Sequence, residues 1–207
     1  MHDEVLLPAA RKLLPKLGRT IEGQGWYLAG GTALALQYGH RRSVDFDWFR
    51  PTSFSLEPLK RRLQGLGKLT VVSEATGTFH GRLAGVRLSF LHYPYRLLWP
   101  TISYGGVRLA DPRDIAGMKL HAVSNRGSKK DFFDLYRLLQ HYSLEQLLSW
   151  FDRKYRGVRY NRLHLLKSLV YFANAEPEPN PFVLHSLSWT AVKREVRKRV
   201  VDYLRMK

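Results

Sequence analysis

The hydrophobic period of this chain changes once, at Asp111. Before that point, apolar and polar residues alternate in short runs. In 43–49, Val44, Phe46 and Trp48 alternate with Asp45, Asp47 and Phe49. Alternation at period two marks strands. Similar runs cover 25–31, 68–74, 78–85, 86–93 and 105–110, and the short turns between residues 68 and 93 predict a meander. Helical patterns over 4–20, 32–40 and 55–67 lie among them. At "DPRD" Asp111 reads as a helix N-cap, Pro112 as the first helical position and Asp114 as an acid in the first turn. From there the period is helical over 112–125, 129–141, 143–156, 160–174 and 188–206, with "NAEPEPNP" (174–181) as a stiff linker. The pattern predicts an α/β (α+β) fold: a small mixed-sheet core over 1–110, then a C-terminal helical bundle over 111–207.

Within the first part, "LAGGTALALQYGHRRSVDFDWF" (28–49) places two glycines between a strand and a helix. Such a turn lets backbone N–H groups approach a phosphate, and the helix behind it adds its positive end. It is also what any tight strand–helix turn requires. Asp45 and Asp47 are more specific. Two residues apart on a strand they share a face, about 6–7 Å apart. Asp is depleted in strands, and two such charges repel unless a cation completes them. Hard divalent ions, Mg²⁺ above all, take such oxygen ligands together with water and phosphate. The alternative is a solvated strand face.

The helical part carries a second signal. At 100° per residue, Ile115, Ala116, Met118, Leu120, Ala122 and Val123 form one apolar arc, and Lys119 falls inside it. Arg126 falls at nearly the same angle. In the next helix Asp131 lies between Leu135 and Leu138 on the apolar side. Charges on a buried face need partners or a site to line, so a structural ion pair and a polar pocket facing the aspartates both remain open.

Together these stretches resemble a known family. Gly-Gly, a short helix, then Asp-x-Asp on the next strand resembles the nucleotidyltransferase superfamily that includes DNA polymerase β. The fuller string, with Arg41-Arg42-Ser43 before the first Asp, is similar to the AbiEii/MenT-type nucleotidyltransferase toxins of bacterial toxin–antitoxin systems. "MKLHAVSNRGSKKDFFDLYRLL" (118–139) resembles the second motif of those toxins, Lys…Arg…Lys-Asp-x-x-Asp, at Lys119, Arg126, Lys130, Asp131 and Asp134. The resemblance covers roughly residues 26–140.

It implies a Mg²⁺-dependent transfer of a nucleotide from an NTP to RNA, the 3′ end of tRNA being the expected acceptor, with Mn²⁺ as an alternative metal and a cognate antitoxin as a partner. Gly30, Gly31 and Thr32 would cradle the triphosphate, and Arg42, Ser43, Arg126, Lys130 and Asp134 would line the nucleotide site. Asp45 and Asp47 would hold the metal. Lys119 and Lys130 would neutralise phosphate, and Asp131 would orient one of them or act as base. One departure stands out: where the superfamily has a third carboxylate on a later strand, this chain has Ser89, leaving Glu74 or Asp131 as substitutes. An inactive RNA- or partner-binding module of the same fold, or an enzyme acting on a protein or small molecule, are the competing readings.

Charge agrees with a polyanionic partner. Thirty-four Lys and Arg against 17 Asp and Glu give a formal charge of +17. The last helix concentrates it, with Arg194, Arg197 and Lys198 as candidate RNA contacts opposite a stripe of Val192, Val196, Val200 and Leu204; a merely solvated face is the alternative. His40 and His80 read as surface or loop residues, a place near the site being the alternative. The absence of cysteine excludes disulfides and thiolate chemistry. There is no Gly-x-Ser-x-Gly and no Walker loop. The N-terminus does not read as a signal peptide, and no apolar run reaches the roughly 18 residues of a membrane span. A cytoplasmic protein is expected.

Overall fold

The computed structural model describes residues 1–206. The chain divides into two compact units, one from Met1 to Asp111 and the other beginning at Pro112.

The first unit is a seven-stranded mixed sheet with helices packed on it. Its elements are α1 (Pro8–Thr20), β1 (Tyr27–Ala29), α2 (Gly30–Tyr38), β2 (Asp45–Arg50), α3 (Leu56–Gln64), β3 (Leu69–Ala75), β4 (Thr78–Leu83), β5 (Val86–His92), β6 (Ile102–Tyr104) and β7 (Val107–Leu109). The strand order is β3-β4-β5-β2-β1-β7-β6. The meander predicted for 68–93 is present: β3, β4 and β5 pair antiparallel in turn. β5 then joins β2 in parallel, and β1 lies antiparallel to β2 and parallel to β7.

Period-two patterning decides which side of the sheet is core. Trp48, Phe90 and Phe79 stand in register across β2, β5 and β4, and all are buried. Phe46 and Leu88 form the adjoining buried row. The polar residues of the same strands are thereby directed to the other face. α1 begins at Pro8, where a missing N–H costs nothing, and tolerates Pro15 inside.

The second unit contains α4 (Pro112–Asn125), α5 (Lys129–Leu139), α6 (Leu144–Lys154), α7 (Arg162–Leu169) and α8 (Trp189–Arg205). Ile115, Leu120, Phe132, Leu135, Leu147, Val192 and Val196 lie in its core, each fully buried. Ser143 and Gln146 form a reciprocal capping box on α6, and Asn161 and Ser188 cap α7 and α8. Gly117 lets α4 and α6 approach closely: a Cβ there would sit 3.2 Å from Lys154 Cδ and 3.7 Å from Phe151 Cα. Trp189 starts α8 against Phe132, Phe133 and Phe172.

The stripe expected on α8 is corrected at its end. Val192, Val196 and Val200 are buried, but Leu204 is 54% exposed and Tyr203 is buried instead. A strict four-residue spacing drifts about 40° per step around a helix of 3.6 residues per turn, so after three steps the core-facing position has moved back one residue.

Candidate active site

Register across the sheet builds a polar surface around the two aspartates. Asp45 pairs with Arg87 and Asp47 with Ser89 along β5; Arg87 pairs with Arg82 and Ser89 with His80 along β4. Partners in register project to the same side. Two rows therefore run across one face: Asp45–Arg87–Arg82 and Asp47–Ser89–His80. The strand face is real, and both aspartates are only partly buried on it. Arg87 Nε lies 2.7 Å from Asp45 Oδ1, with the arginine side chain 54% exposed. Ser89 Oγ and His80 Nδ1 are 3.0 Å apart. His80, expected on the surface or in a loop, is instead a half-buried strand residue in the row of Asp47.

The proposed substitutes for the missing carboxylate come out differently. Glu74 pairs with Phe79, which puts it in the row of Trp48 and on the opposite face from the aspartates. Its carboxylate meets Lys60 of α3 at 3.2 Å. A β-irregularity between Val71 and Ser73 shifts the β3 register there, so Ser73, not Glu74, extends the row of Asp47. A hydroxyl and an imidazole thus stand where the carboxylate was expected.

Next to this face β1 ends and α2 begins. Ala29 pairs with Asp47, and Gly30 follows at φ +68°. A Cβ on Gly30 would lie 3.3 Å from Asp47 Oδ2. Glycine is required here twice over, by the left-handed backbone and by the carboxylate against it. No side chain caps the N-terminus of α2, so its first N–H groups keep their capacity for an anion.

Thr32 and Ser43 are placed otherwise than the motif led us to expect. Both are buried. The Thr32 hydroxyl donates to the Asp45 carbonyl, and the Ser43 hydroxyl, 2.7 Å away, is left to donate to Thr32 Oγ1. Ser43 N also donates to Val5 O at 3.0 Å. These side chains tie α2 and the N-terminal segment to the start of β2 and so fix the position of Asp45. Arg42, between the buried Arg41 and Ser43, is exposed.

Could these residues hold a divalent ion? Asp45 and Asp47 supply carboxylate oxygens on one face. Among the described residues no group of three or more His, Asp or Glu is arranged to hold a metal. A donor set of two carboxylates suits Mg²⁺, which keeps several waters and binds through one or two carboxylates plus substrate phosphates.

The second unit holds the charges predicted on its apolar stripes. Lys119 is 4% exposed and Asp131 and Asp134 are fully buried. Lys119 Nζ lies 2.9 Å from Asp131 Oδ1 and 2.6 Å from Asp134 Oδ2. Arg126 grips Asp131 with two donors, Nε at 2.8 Å and Nη2 at 3.2 Å, and Ser128 Oγ donates at 2.7 Å. Burial works to raise the Asp131 carboxyl, but the Lys119 charge and the Arg126 and Ser128 donors hold it well below the usual carboxylate range. Such a carboxylate is a poor proton acceptor. Its geometry is that of an anchor, which fixes an Arg126 side chain that is 60% exposed. Asp134 serves Lys119 in the same buried cluster. Lys130 is exposed, whereas Lys129 is buried with its ammonium on the Glu176 and Glu178 carbonyls.

A second buried pair went unseen in the sequence. Lys154 Nζ meets Asp114 Oδ1 at 2.8 Å, both side chains fully buried. Its signal was there: Lys154 lies three residues after Phe151 and seven after Leu147, on the buried stripe of α6. On α8, Lys198 is paired to Asp202 at 2.6 Å and Arg197 lies over the Phe172 ring at 4.9 Å, while Arg194 is exposed.

These features can be set against known proteins. The family model for the AbiEii toxin, a nucleotidyl transferase of type IV toxin–antitoxin systems, matches residues 12–104 and 91–202. The chain belongs to this AbiEii family. It is a nucleotidyltransferase of the toxin–antitoxin class, as the Gly-Gly and Asp-x-Asp resemblance implied. An uncharacterized protein of Aquifex aeolicus (strain VF5) is 35% identical over 187 residues, 86% of this chain and 88% of its own. Among solved structures, the nucleotidyltransferase toxin MenT4 of Mycobacterium tuberculosis is similar at TM-score 0.57 and 16% identity, over 94% of this chain and 84% of that one. JHP933 of Helicobacter pylori is similar at TM-score 0.53 and 18% identity, over 97% of both chains. At these identities the structural likeness is one of fold. Among the described residues, no helix of this AbiEii member is long and apolar enough to cross a membrane.

Proposed function

We propose that this AbiEii enzyme transfers a nucleotide from an NTP to a hydroxyl of an RNA acceptor, the 3′ end of a tRNA, in the cytoplasm, and that a cognate antitoxin restrains it. One observation carries the reading: the left-handed Gly30 turn brings the uncapped start of α2 against Asp47, on the sheet face that Asp47 shares with Asp45. That juxtaposes a phosphate seat with two metal-type carboxylates.

In the reaction, the acceptor hydroxyl gives up its proton to solvent as its oxygen bonds to the α-phosphorus, the bond to the β-phosphate bridging oxygen breaks, and pyrophosphate leaves. Asp45 and Asp47 would hold Mg²⁺, with Mn²⁺ serving in its place; bound there, the ion supplies Lewis-acid stabilisation of charge on the phosphoryl oxygens. The backbone N–H groups of Gly30 and Gly31 receive phosphate oxygens. Thr32 and Ser43 act at one remove, by holding Asp45 in place. Arg42, Arg126 and Lys130 are the exposed cations assigned to phosphate charge. Lys119, Asp131 and Asp134 form the buried anchor that aims Arg126. Arg194, Arg197 and Lys198 are assigned to the RNA backbone, consistent with the net charge of +17.

Incubation of the enzyme with each labelled NTP, Mg²⁺ and total cellular RNA tests this. Label should enter small RNAs and depend on the metal. Label that enters only protein or small molecules would reject RNA as the acceptor.

A further inference from the structure

The mechanism leaves Arg87 unused, although its guanidinium lies against a carboxylate of the site. Its guanidinium lies 2.7 Å from Asp45 Oδ1, where the sheet register has placed it. On its other side, in register on β4, stands Arg82. Like charges directly opposite each other on neighbouring strands are destabilising. Arg82 has no carboxylate partner among the described residues. One register row therefore carries Asp45 and then two guanidinium groups, with the positive charge of Arg82 on the far side of Arg87. Both arginines line a groove of about 450 Å³ whose other walls include Leu7, Val44 and Val86.

Position says which reactant this charge can serve. Gly30 lies on the β1 side of β2; Arg87 and Arg82 lie on the β5 and β4 side. If the nucleotide phosphates occupy the Gly30 turn, an anion at the arginine pair belongs to the other reactant.

We propose that Arg87 is an internal counter-cation that holds Asp45 in the metal-free enzyme, yields Asp45 when the divalent metal binds, and then joins Arg82 in seating a backbone phosphate of the acceptor strand. The proposal rests on the reading of Asp45 and Asp47 as metal ligands. The pair is half exposed, so its attraction is modest and a divalent ion can displace it. Arginine stays charged throughout, and its fork fits a phosphate as it fits a carboxylate. Metal loading and acceptor capture are thereby linked through one side chain: the acceptor seat is complete only once the metal has taken Asp45.

The test measures binding, not turnover. Mn²⁺ affinity is read from the electron paramagnetic resonance of the free ion, and affinity for a short single-stranded RNA is read by fluorescence anisotropy with and without Mn²⁺. Arg87→Gln should tighten Mn²⁺ binding in the absence of substrate by about two- to five-fold, the range expected for an exposed ion pair. Arg82→Gln removes an equal charge from the next strand without touching Asp45 and should tighten it less. In the wild type, Mn²⁺ should strengthen RNA binding; in Arg87→Gln that gain should vanish, while affinity for a non-hydrolysable NTP analogue stays within about two-fold. Unchanged or weaker Mn²⁺ binding in Arg87→Gln would overturn the proposal, and so would equal tightening in both variants, which only a general field effect produces. Weakened analogue binding with RNA binding intact would overturn it too, because the seat would then belong to the nucleotide. If the wild type shows no Mn²⁺ binding that Asp45→Asn abolishes, the metal reading itself fails, and this outcome is distinct from failure of Arg87 alone.

Discussion

The buried charge cluster of the helical unit gives the most quantitative expectation. Lys119 faces two carboxylates, Asp131 at 2.9 Å and Asp134 at 2.6 Å, both fully buried. Arg126 provides a further cation, on Asp131. Lys119→Met removes the cation that the two buried carboxylates share. Breaking a buried pair in this way costs about 3–5 kcal/mol, which for a unit of about 60–100 residues lowers Tm by more than about 12 °C. The better repair follows from Asp131, which keeps its Arg126 and Ser128 donors when Lys119 is gone. Lys119→Met with Asp134→Leu leaves Asp131 and Arg126 as a matched pair. Lys119→Met with Asp131→Leu leaves Asp134 buried without Lys119 and removes the carboxylate that Arg126 and Ser128 hold. Guanidinium denaturation followed by circular dichroism should therefore show at least about 2 kcal/mol recovered with Asp134→Leu and markedly less with Asp131→Leu. Equal recovery in the two doubles, or a loss below about 1 kcal/mol in Lys119→Met, would refute this reading of the cluster.

Other outcomes follow from the same structure. Gly30→Ala, with φ +68° and a Cβ 3.3 Å from Asp47 Oδ2, should cost roughly 1–2 kcal/mol in a denaturation assay and lower nucleotide transfer by more than about tenfold. The Asp131 carboxyl is held below its ordinary value, so its stabilisation is complete above about pH 4 and is lost as pH falls through the folded value; Asp131→Asn should flatten the acid limb of a stability–pH curve. Neutralising Arg194, Arg197 and Lys198 together should reduce the slope of log affinity against log salt for RNA by roughly 0.7 per lost contact, and an unchanged slope would make that surface a solvated face.

How much of this was legible in the sequence depends on distance along the chain. Asp45 and Asp47 could be assigned to one strand face because strand periodicity is local. Lys119 and Asp131 could be assigned to buried faces because helix periodicity is local too. What could not be read was which strand lies beside which. Arg87 alternates with Val86 and Leu88, so its face was readable, but its place opposite Asp45 comes from a parallel pairing between residues about forty positions apart. Glu74 was misplaced for a related reason: a register irregularity between Val71 and Ser73 reverses which residues of β3 face the aspartates. Thr32 and Ser43 sit in a motif that suggests ligand contact, yet their hydroxyls are spent on each other and on the Asp45 carbonyl. A motif gives residue types, whereas burial decides whether they reach a ligand.

Asp45 and Asp47 are proposed to form a metal-dependent phosphoryl-transfer site on this sheet face. Nucleotide incorporation by Asp47→Asn, measured beside the wild type with its acceptor and with folding monitored without Mg²⁺, tests it most directly. Transfer should fall by at least about two orders of magnitude, with metal-free thermal stability equal to the wild type or higher because a repulsion has been removed. Transfer within about tenfold of wild type, or a variant that unfolds in the absence of metal, would contradict it.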